Sequence, residues 1–498
     1  MTARRPVAEG ASDAAFGAVL FVLALVPRLW VALAWAGEPV WDGHYYDFGA
    51  RRIAQGMGYS DDIAVAGQMI WHPWCHYPVG YSAMLAVFYR LFGASHAVAA
   101  VANALVGAAL AVVTWALARH ALSPLRARVA GVIVALHPGL VLYAALLMSE
   151  PLAALLTLLA FWVTVRERDA RRGIVLGALV LGVATLVRPQ ALLCAPFLAL
   201  TLLRKTVSVH VPPASLARGG ARGVESWPVP WRALGAWALV ACAVALLPVL
   251  PWTARNCRVM DGCALVSTNA GWNLAIGAFP RATGRFETLR SSDGCREVTG
   301  QVQQDRCWLQ YGLDQIRQHP GHWLALVPAK LGFTFDHESF EVEYLHEARP
   351  EAWPEPRRVG VRGLTTLAHR LLLAASALGC VAFAGARRPR AAMAQGALLV
   401  VAAGLVAVAF AVDIPTFWPV AVFISVVPWL PLPGRPDVPP ALLMGVALLG
   451  TTVLTHAVFF GEDRYHVVVI PVLALLAAAA LRPRTELASD RGGIHPVC

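Results

Sequence analysis

Charge is what this sequence has least of. Only 14% of its 498 residues are Asp, Glu, Lys or Arg, against roughly 25% in soluble globular chains. With 58% hydrophobic residues and a mean hydropathy of +0.58, that shortage excludes a water-soluble enzyme and predicts an all-α polytopic membrane protein. No C-x-x-C pair occurs among the nine cysteines, which removes zinc-ribbon and dithiol redox classes. No P-loop, G-x-G-x-x-G unit or internal repeat stands out, so nothing points to nucleotide-driven chemistry or a solenoid. Acids are the scarcer sign, 30 against 41 basic residues. The resulting charge of +11 needs no nucleic acid, because membrane proteins collect Lys and Arg in their cytoplasmic loops.

What is present is a series of apolar runs punctuated by arginines. About twelve spans are expected, near 14–36, 96–118, 129–147, 151–165, 173–187, 190–203, 233–251, 361–384, 392–412, 415–431, 440–458 and 466–481. The first is too long for a signal-peptide core and reads as a retained anchor. Arg4 and Arg5, the linker 204–232, Arg387, Arg388, Arg390, Arg435, Arg482 and Arg484 mark the inner side and put both termini in the cytoplasm. The fifth and sixth runs are short against the roughly 20 residues a span requires, so tilting or partial insertion is expected there. Three units follow: an N-terminal membrane module 1–251 with a polar first external loop 37–80, an external subdomain 252–360 with a helix near 301–318, and a C-terminal membrane module 361–498.

Cys194, Cys242 and Cys380 fall in apolar runs and read as core. Cys257, Cys263, Cys295 and Cys307 share the external region, where one or two disulfides are expected, the pairing being open.

The polar residues gather on the outer side. They include Asp42, Asp47, His72, His76, Tyr77, Glu150, Arg188, Arg255, Lys330, Asp413, Glu462, Asp463 and Arg464. Ionisable groups are expensive at membrane depth, so those near spans serve as anchors or as sites. On a helical period Asp42, Tyr46, Gly49, Ala50 and Ile53 fall on one side, with Arg51 and Arg52 at the far end. Asp42 is then either the N-cap of a surface helix or a general base at the water–bilayer boundary. Glu150 is either a residue of a helix start or a group that orients an arginine or binds a sugar hydroxyl. His72 and His76 have the spacing of a metal pair, but Pro73 between them opposes a regular helix. The aromatics around them read as an interfacial belt or a sugar-stacking surface. No metal or other cofactor is assigned, a divalent ion at the histidines remaining an open alternative.

Several motifs, in order, carry a resemblance. They are Asp42-Gly43-His44-Tyr45-Tyr46 with Gly56-Met57-Gly58-Tyr59; His76-Tyr77-Pro78-Val79-Gly80-Tyr81 with Leu91-Phe92-Gly93; and Tyr143 through Met148-Ser149-Glu150. Val187-Arg188-Pro189, Leu250 through Arg255-Asn256, Asn269-Ala270-Gly271-Trp272-Asn273-Leu274 and Arg464-Tyr465 ahead of Pro471 complete the series. With these the chain resembles the GT-C membrane glycosyltransferases of the protein O-mannosyltransferase and lipid A aminoarabinose transferase type. The resemblance implies a GT-C architecture and inverting sugar transfer from a polyprenyl-phosphate donor to a lipid, glycan or protein acceptor. It places the reaction on the outer side of the cytoplasmic membrane. It implies Asp42 as the base. Arg464 and Arg255, then Lys330 and Arg188, are candidate phosphate partners, with Tyr46, Asp47, His76, Tyr77 and Glu150 completing the substrate contacts. One departure is plain: the family's first loop reads Asp-Glu, and here Gly43 follows the acid, with Asp47 the nearest substitute. His76 and Tyr77 also stand where the aminoarabinose branch has an acid and a lysine.

The chemistry suits those residue types. A carboxylate takes the proton of an acceptor hydroxyl, and Arg or Lys holds the charge that develops on a departing phosphate. A transporter or lipid flippase is the competing class and would show broken symmetric helices with mid-span charges. A polysaccharide polymerase or ligase with a diphosphate-linked donor is the third.

Overall fold

The computed structural model describes residues 7–203, 231–382, 389–412, 416–430 and 438–481. Arg4, Arg5, the linker 204–230, Arg387, Arg388, Asp413, Arg435, Arg482 and Arg484 lie outside the described residues.

Among the described residues the regular secondary structure is helical apart from one hairpin. It opens with α1 (Val7–Trp35), α2 (Asp42–Ala54), β1 (Ser60–Val65) and β2 (Gln68–Pro73). There follow α3 (Val79–Phe92), α4 (His96–Ala118), α5 (Pro124–Leu136), α6 (Pro138–Leu142), α7 (Glu150–Arg166) and α8 (Ala170–Val187). Each of the twelve expected apolar runs contains helix. By length and composition, six helices among the described residues can cross a membrane, or eight if two bent pairs are each one span. For one of the runs that fall short, the cause is geometric. Pro189–Leu203 has only 15 residues but is a 3₁₀ helix, whose rise of about 2.0 Å per residue gives roughly 30 Å, the thickness of the hydrocarbon layer. A residue count tuned to the α-helix undervalues it.

Burial is inverted relative to a soluble protein. On α1 Leu20, Ala24 and Val31 face the bundle, while Val19, Val22, Val26 and Leu33 are exposed. Small residues let the helices close up: a Cβ on Gly177 would meet the Thr164 hydroxyl at 1.9 Å and one on Gly107 would meet Arg28 at 2.5 Å.

Arg28 itself lies fully buried in the middle of α1, and the reason is a proline. Pro138 has no N–H to give the Val134 carbonyl four residues back, and the chain bends by 52° there. Arg28 supplies the missing donors, from Nη2 to Val134 O at 2.9 Å and from Nη1 to Ala135 O at 2.6 Å and Ala24 O at 2.8 Å. Arg28→Met is therefore expected to lower the thermal midpoint in detergent, with a cost of about 3 kcal/mol for carbonyls left without a charged donor. An unchanged midpoint would show that the carbonyls find other partners.

The stretch 252–360 holds several helices, among them Gln301–Gln318 where one was expected, then Val327–Phe335 and Phe340–Ala348. Cys257 pairs with Cys263 and Cys295 with Cys307. Cys194 and Cys380 are buried and Cys242 half-buried.

Candidate active site

The polar residues collect where helices stop, because a helix end leaves backbone groups free and relaxes the demand for an apolar side chain. The hairpin of the first loop turns on Ala66 and Gly67, at φ 51° and 81°, the double left-handed geometry of a two-residue turn. Before it, Gly56 and Gly58, at φ 82° and 71°, let the chain leave α2 and bring Tyr59 back over it. Asp42 is the first residue of α2, following Trp41 at φ 49°. Its carboxylate caps nothing. Oδ1 accepts from the Tyr77 hydroxyl at 2.7 Å, and Oδ2 accepts from Arg464 Nη1 at 2.5 Å. The N-cap reading of Asp42 is set aside on that geometry.

Tyr77 stands just before α3, while Arg464 belongs to a 3₁₀ turn, Asp463–Val469, that leads into the helix Ile470–Ala479. Arg464 also contacts Glu462 at 2.7 Å and lies over the rings of Phe340 and Tyr465, 5.0 Å from each centroid. Glu150 opens α7, fully buried, and accepts from Arg188 Nη1 at 2.6 Å. Arg188 caps α8, ahead of Pro189, and also lies over the Tyr465 ring, 5.3 Å from its centroid. Two guanidinium groups thus share one tyrosine ring, each held by its own acid.

Burial pushes the Asp42 carboxyl up, but the Arg464 charge and the Tyr77 hydroxyl outweigh it and leave it below its usual 3.8. Burial holds the His76 imidazole below its usual 6.5 against the pull of Asp42, so it is neutral at neutral pH. Burial raises the Glu462 carboxyl against the pull of Arg464.

These groups border a cavity of about 430 Å³ lined by Asp42, Tyr46, His76, Tyr77, Arg188 and Arg464, with an apolar flank at Val187, Pro189 and Leu193. Asn269, Trp272 and Asn273 of the Asn269–Leu274 motif form another side. His76 meets Trp272 edge to face. His72 lies in β2 rather than on a helix with His76. Glu150 reaches the site through Arg188.

Three expected partners are elsewhere. Asp47 accepts from Arg51, one turn on in its own helix, at 2.7 Å and from the Tyr89 hydroxyl of α3, so it does not stand in for the missing acid. Arg255 donates to the carbonyls of Trp74 at 3.0 Å and Tyr59 at 2.6 Å, tying the first loop to the region after the seventh run. Lys330 is buried, with Nζ 3.1 Å from the Val458 carbonyl, and burial pushes its amine down to about 8. None of the three lines the cavity.

The departure at Gly43 has a physical reason. A Cβ there would stand 2.2 Å from the Tyr344 hydroxyl, which itself accepts from the N–H groups of Val40 and Leu147. Tyr344 occupies the place of a second side chain, and nothing in the local sequence announces it. Gly43→Ala is expected to cost about 1–3 kcal/mol by overpacking, read as a lower melting midpoint. Adding Tyr344→Phe should recover part of the loss. Additive losses would mean that the two residues do not meet.

Away from the cavity, Glu338, His369 and His466 bring three ligand-type atoms within 4.8 Å of one another, all three residues being buried.

Fold and site define a polytopic all-α membrane protein with an acid–arginine site at its helix ends. Residues 76–219 match the pattern of the dolichyl-phosphate-mannose-protein mannosyltransferase family, in line with the motifs. No curated protein sequence matches. Among solved structures, the chain is similar to the archaeal oligosaccharyltransferase AglB from Archaeoglobus fulgidus in complex with an inhibitory peptide and a dolichol-phosphate. Identity is 13% and the TM-score 0.43, over 97% of this chain and 52% of that one. It is also similar to ArnT from Cupriavidus metallidurans bound to undecaprenyl phosphate, at 16% identity and a TM-score of 0.34, over 93% of this chain and 77% of that one. The chain spans about half the length of the archaeal enzyme.

Proposed function

We propose that this protein is an inverting glycosyltransferase that moves a sugar from a polyprenyl-phosphate donor to an acceptor hydroxyl, on a lipid, a glycan or a protein, at the outer face of the cytoplasmic membrane. The observation that carries this reading is the Asp42 carboxylate, held jointly by Tyr77 and Arg464 at a cavity that Arg188 also enters. The family match covers His76, Tyr77, Glu150 and Arg188 and supports it, although Asp42 and Arg464 lie outside the matched residues.

The phosphate of the donor is an anion that competes with Asp42 for Arg464, and its polyprenyl chain suits the apolar flank. Arg464 and Arg188 grip the phosphate, Arg464 through two N–H groups where geometry permits. Once Arg464 turns to the phosphate, Asp42 loses the charge that most depresses its carboxyl and becomes a stronger base. Donor binding thereby arms the base. Asp42 takes the acceptor hydroxyl proton while that oxygen bonds to the anomeric carbon from the face opposite the phosphate. The bond from carbon to phosphate oxygen breaks, and polyprenyl phosphate leaves with its charge held by the arginines. Arg255 and Lys330 act from outside the cavity, as positioning groups.

Purified protein in lipid is expected to consume a polyprenyl-monophosphate sugar, with mass spectrometry identifying the lipid-linked donor that co-purifies. Competition by polyprenyl phosphate but not by a diphosphate-linked oligosaccharide fits this reading. The opposite pattern overturns it in favour of a polymerase or ligase.

A further inference from the structure

The turn that presents Arg464 to the cavity carries His466 two residues on, and His466 does not line the cavity. It is fully buried together with His369, from the middle of the long helix Glu355–Ala382, and Glu338, from the connection between the helices Val327–Phe335 and Phe340–Ala348.

The proton positions follow from the partners. A carbonyl oxygen only accepts. His466 Nδ1 is 2.6 Å from the Thr334 carbonyl, and His369 Nε2 is 3.0 Å from the Phe335 carbonyl. Each neutral ring therefore spends its one N–H on the backbone and presents a bare nitrogen: Nε2 of His466 and Nδ1 of His369. Both face the same acceptor, Glu338 Oε1, at 3.2 Å and 3.7 Å. Three sets of lone pairs thus converge in a dry place. The His369 Nδ1 and Glu338 Oε2 atoms have no hydrogen-bond partner at all. Glu341, 2% exposed, is a second buried carboxyl group beside Glu338, close enough to share a proton with it. Such an arrangement is costly unless a positive charge sits at its centre.

We propose that Glu338, His369 Nδ1 and His466 Nε2 form a divalent cation site, with Zn²⁺ as the ion their chemistry favours. Two imidazoles and a carboxylate suit a cation of borderline softness. Bonds of about 2.0–2.1 Å in tetrahedral geometry separate ligand atoms by roughly 3.4 Å, and the two distances to Glu338 bracket that value. A ring nitrogen that binds a metal while the other donates to a backbone carbonyl is the usual way such ligands are oriented. The His137 ring adds to the pocket: its Nδ1 faces the Leu140 N–H, and its Nε2 lies 3.9 Å from Glu338 Oε1, placed to orient the carboxylate. Binding would draw the rings of His369 and His466 apart, since they now stack at 3.9 Å.

The ion would pin together the segments that set Arg464. Asp463 already accepts from the Ser339 hydroxyl at 2.9 Å and the Phe340 N–H at 2.8 Å. Phe340 in turn lies under the Arg464 guanidinium. A cation at Glu338 and His466 would lock the same two stretches from the other side. The role is structural and does not depend on the transferase reading.

The test is metal analysis of the full-length protein purified without chelators. About one zinc per chain is expected, falling at least tenfold in Glu338→Gln and His369→Ala and staying in His72→Ala. Stripped wild-type protein titrated with Co²⁺ should show the visible bands of a four-coordinate site and a raised melting midpoint, a readout that needs no variant. Wild-type protein that holds no ion and gives no cobalt bands overturns the proposal, leaving a proton on Glu338 as the charge at the centre. Metal that persists in His369→Ala but disappears in His72→Ala overturns it too, moving the ion to the first loop.

Discussion

Asp42→Asn is expected to lower the rate of sugar transfer by about 10²–10⁴-fold, the range a positioned general base supplies, in a protein that stays folded. The side chain keeps its shape and an oxygen for Tyr77, so the packing around it survives. Donor binding should not weaken, because Arg464 loses the carboxylate that competes with a phosphate. The split between a collapsed rate and an intact or tighter donor affinity is what separates a base from a structural anchor. A purified variant that transfers at the wild-type rate removes Asp42 from the reaction. One that loses donor affinity and thermal stability together returns it to an architectural role.

Arg464→Ala acts on both halves of the chemistry. Loss of a charge-assisted contact to phosphate, about 1.5–3 kcal/mol, weakens donor affinity by roughly 10- to 150-fold, read as binding of polyprenyl phosphate. The same change alters the pH profile. In the wild type burial raises the Asp42 carboxyl and Arg464 more than cancels the rise, so the carboxyl titrates below 3.8. Without Arg464 the raising influence of burial loses its main opponent, and the acid limb of activity moves to higher pH. The stability sign follows: a depressed carboxyl contributes stability above its unfolded value and loses it as pH falls through its folded value. Arg464→Ala should therefore lower stability at neutral pH, while the part of the acid-induced loss that Asp42 contributes in the wild type shrinks or disappears. Unchanged lipid-phosphate affinity would take Arg464 out of the donor site, and an unmoved acid limb would detach it from Asp42.

Much of the site was legible from local pattern. The period of Asp42, Tyr46, Gly49 and Ala50 gave α2, and Tyr46, Gly49 and Ala50 are buried in it. Residues beside prolines at the ends of apolar runs, Tyr77 before Pro78 and Arg188 before Pro189, proved to be cavity residues. Arg255 and Lys330 have the same appearance in sequence as Arg464, yet their side chains end on backbone carbonyls. A guanidinium or an amine serves a carbonyl as readily as a phosphate, and only neighbours distant in sequence determine which it meets. Tyr344, 301 residues after Gly43 by number, left no local signal, and neither did the pairing of Arg28 with the break at Pro138. The Glu338–His369–His466 cluster draws each member from a different segment, so no spacing rule exposes it.

Composition and the run of apolar segments determined on their own that this chain is a helical membrane protein, because hydrocarbon admits few ways of satisfying a backbone. They also placed the polar groups at helix ends, where charge is least costly. Which acid meets which arginine, which glycine gives way to a tyrosine and which histidines turn bare nitrogens to one carboxylate were decided only by the tertiary structure. The reason is physical: these are contacts of a few ångströms between segments tens to hundreds of residues apart, and a side chain's role there is fixed by the partner it reaches.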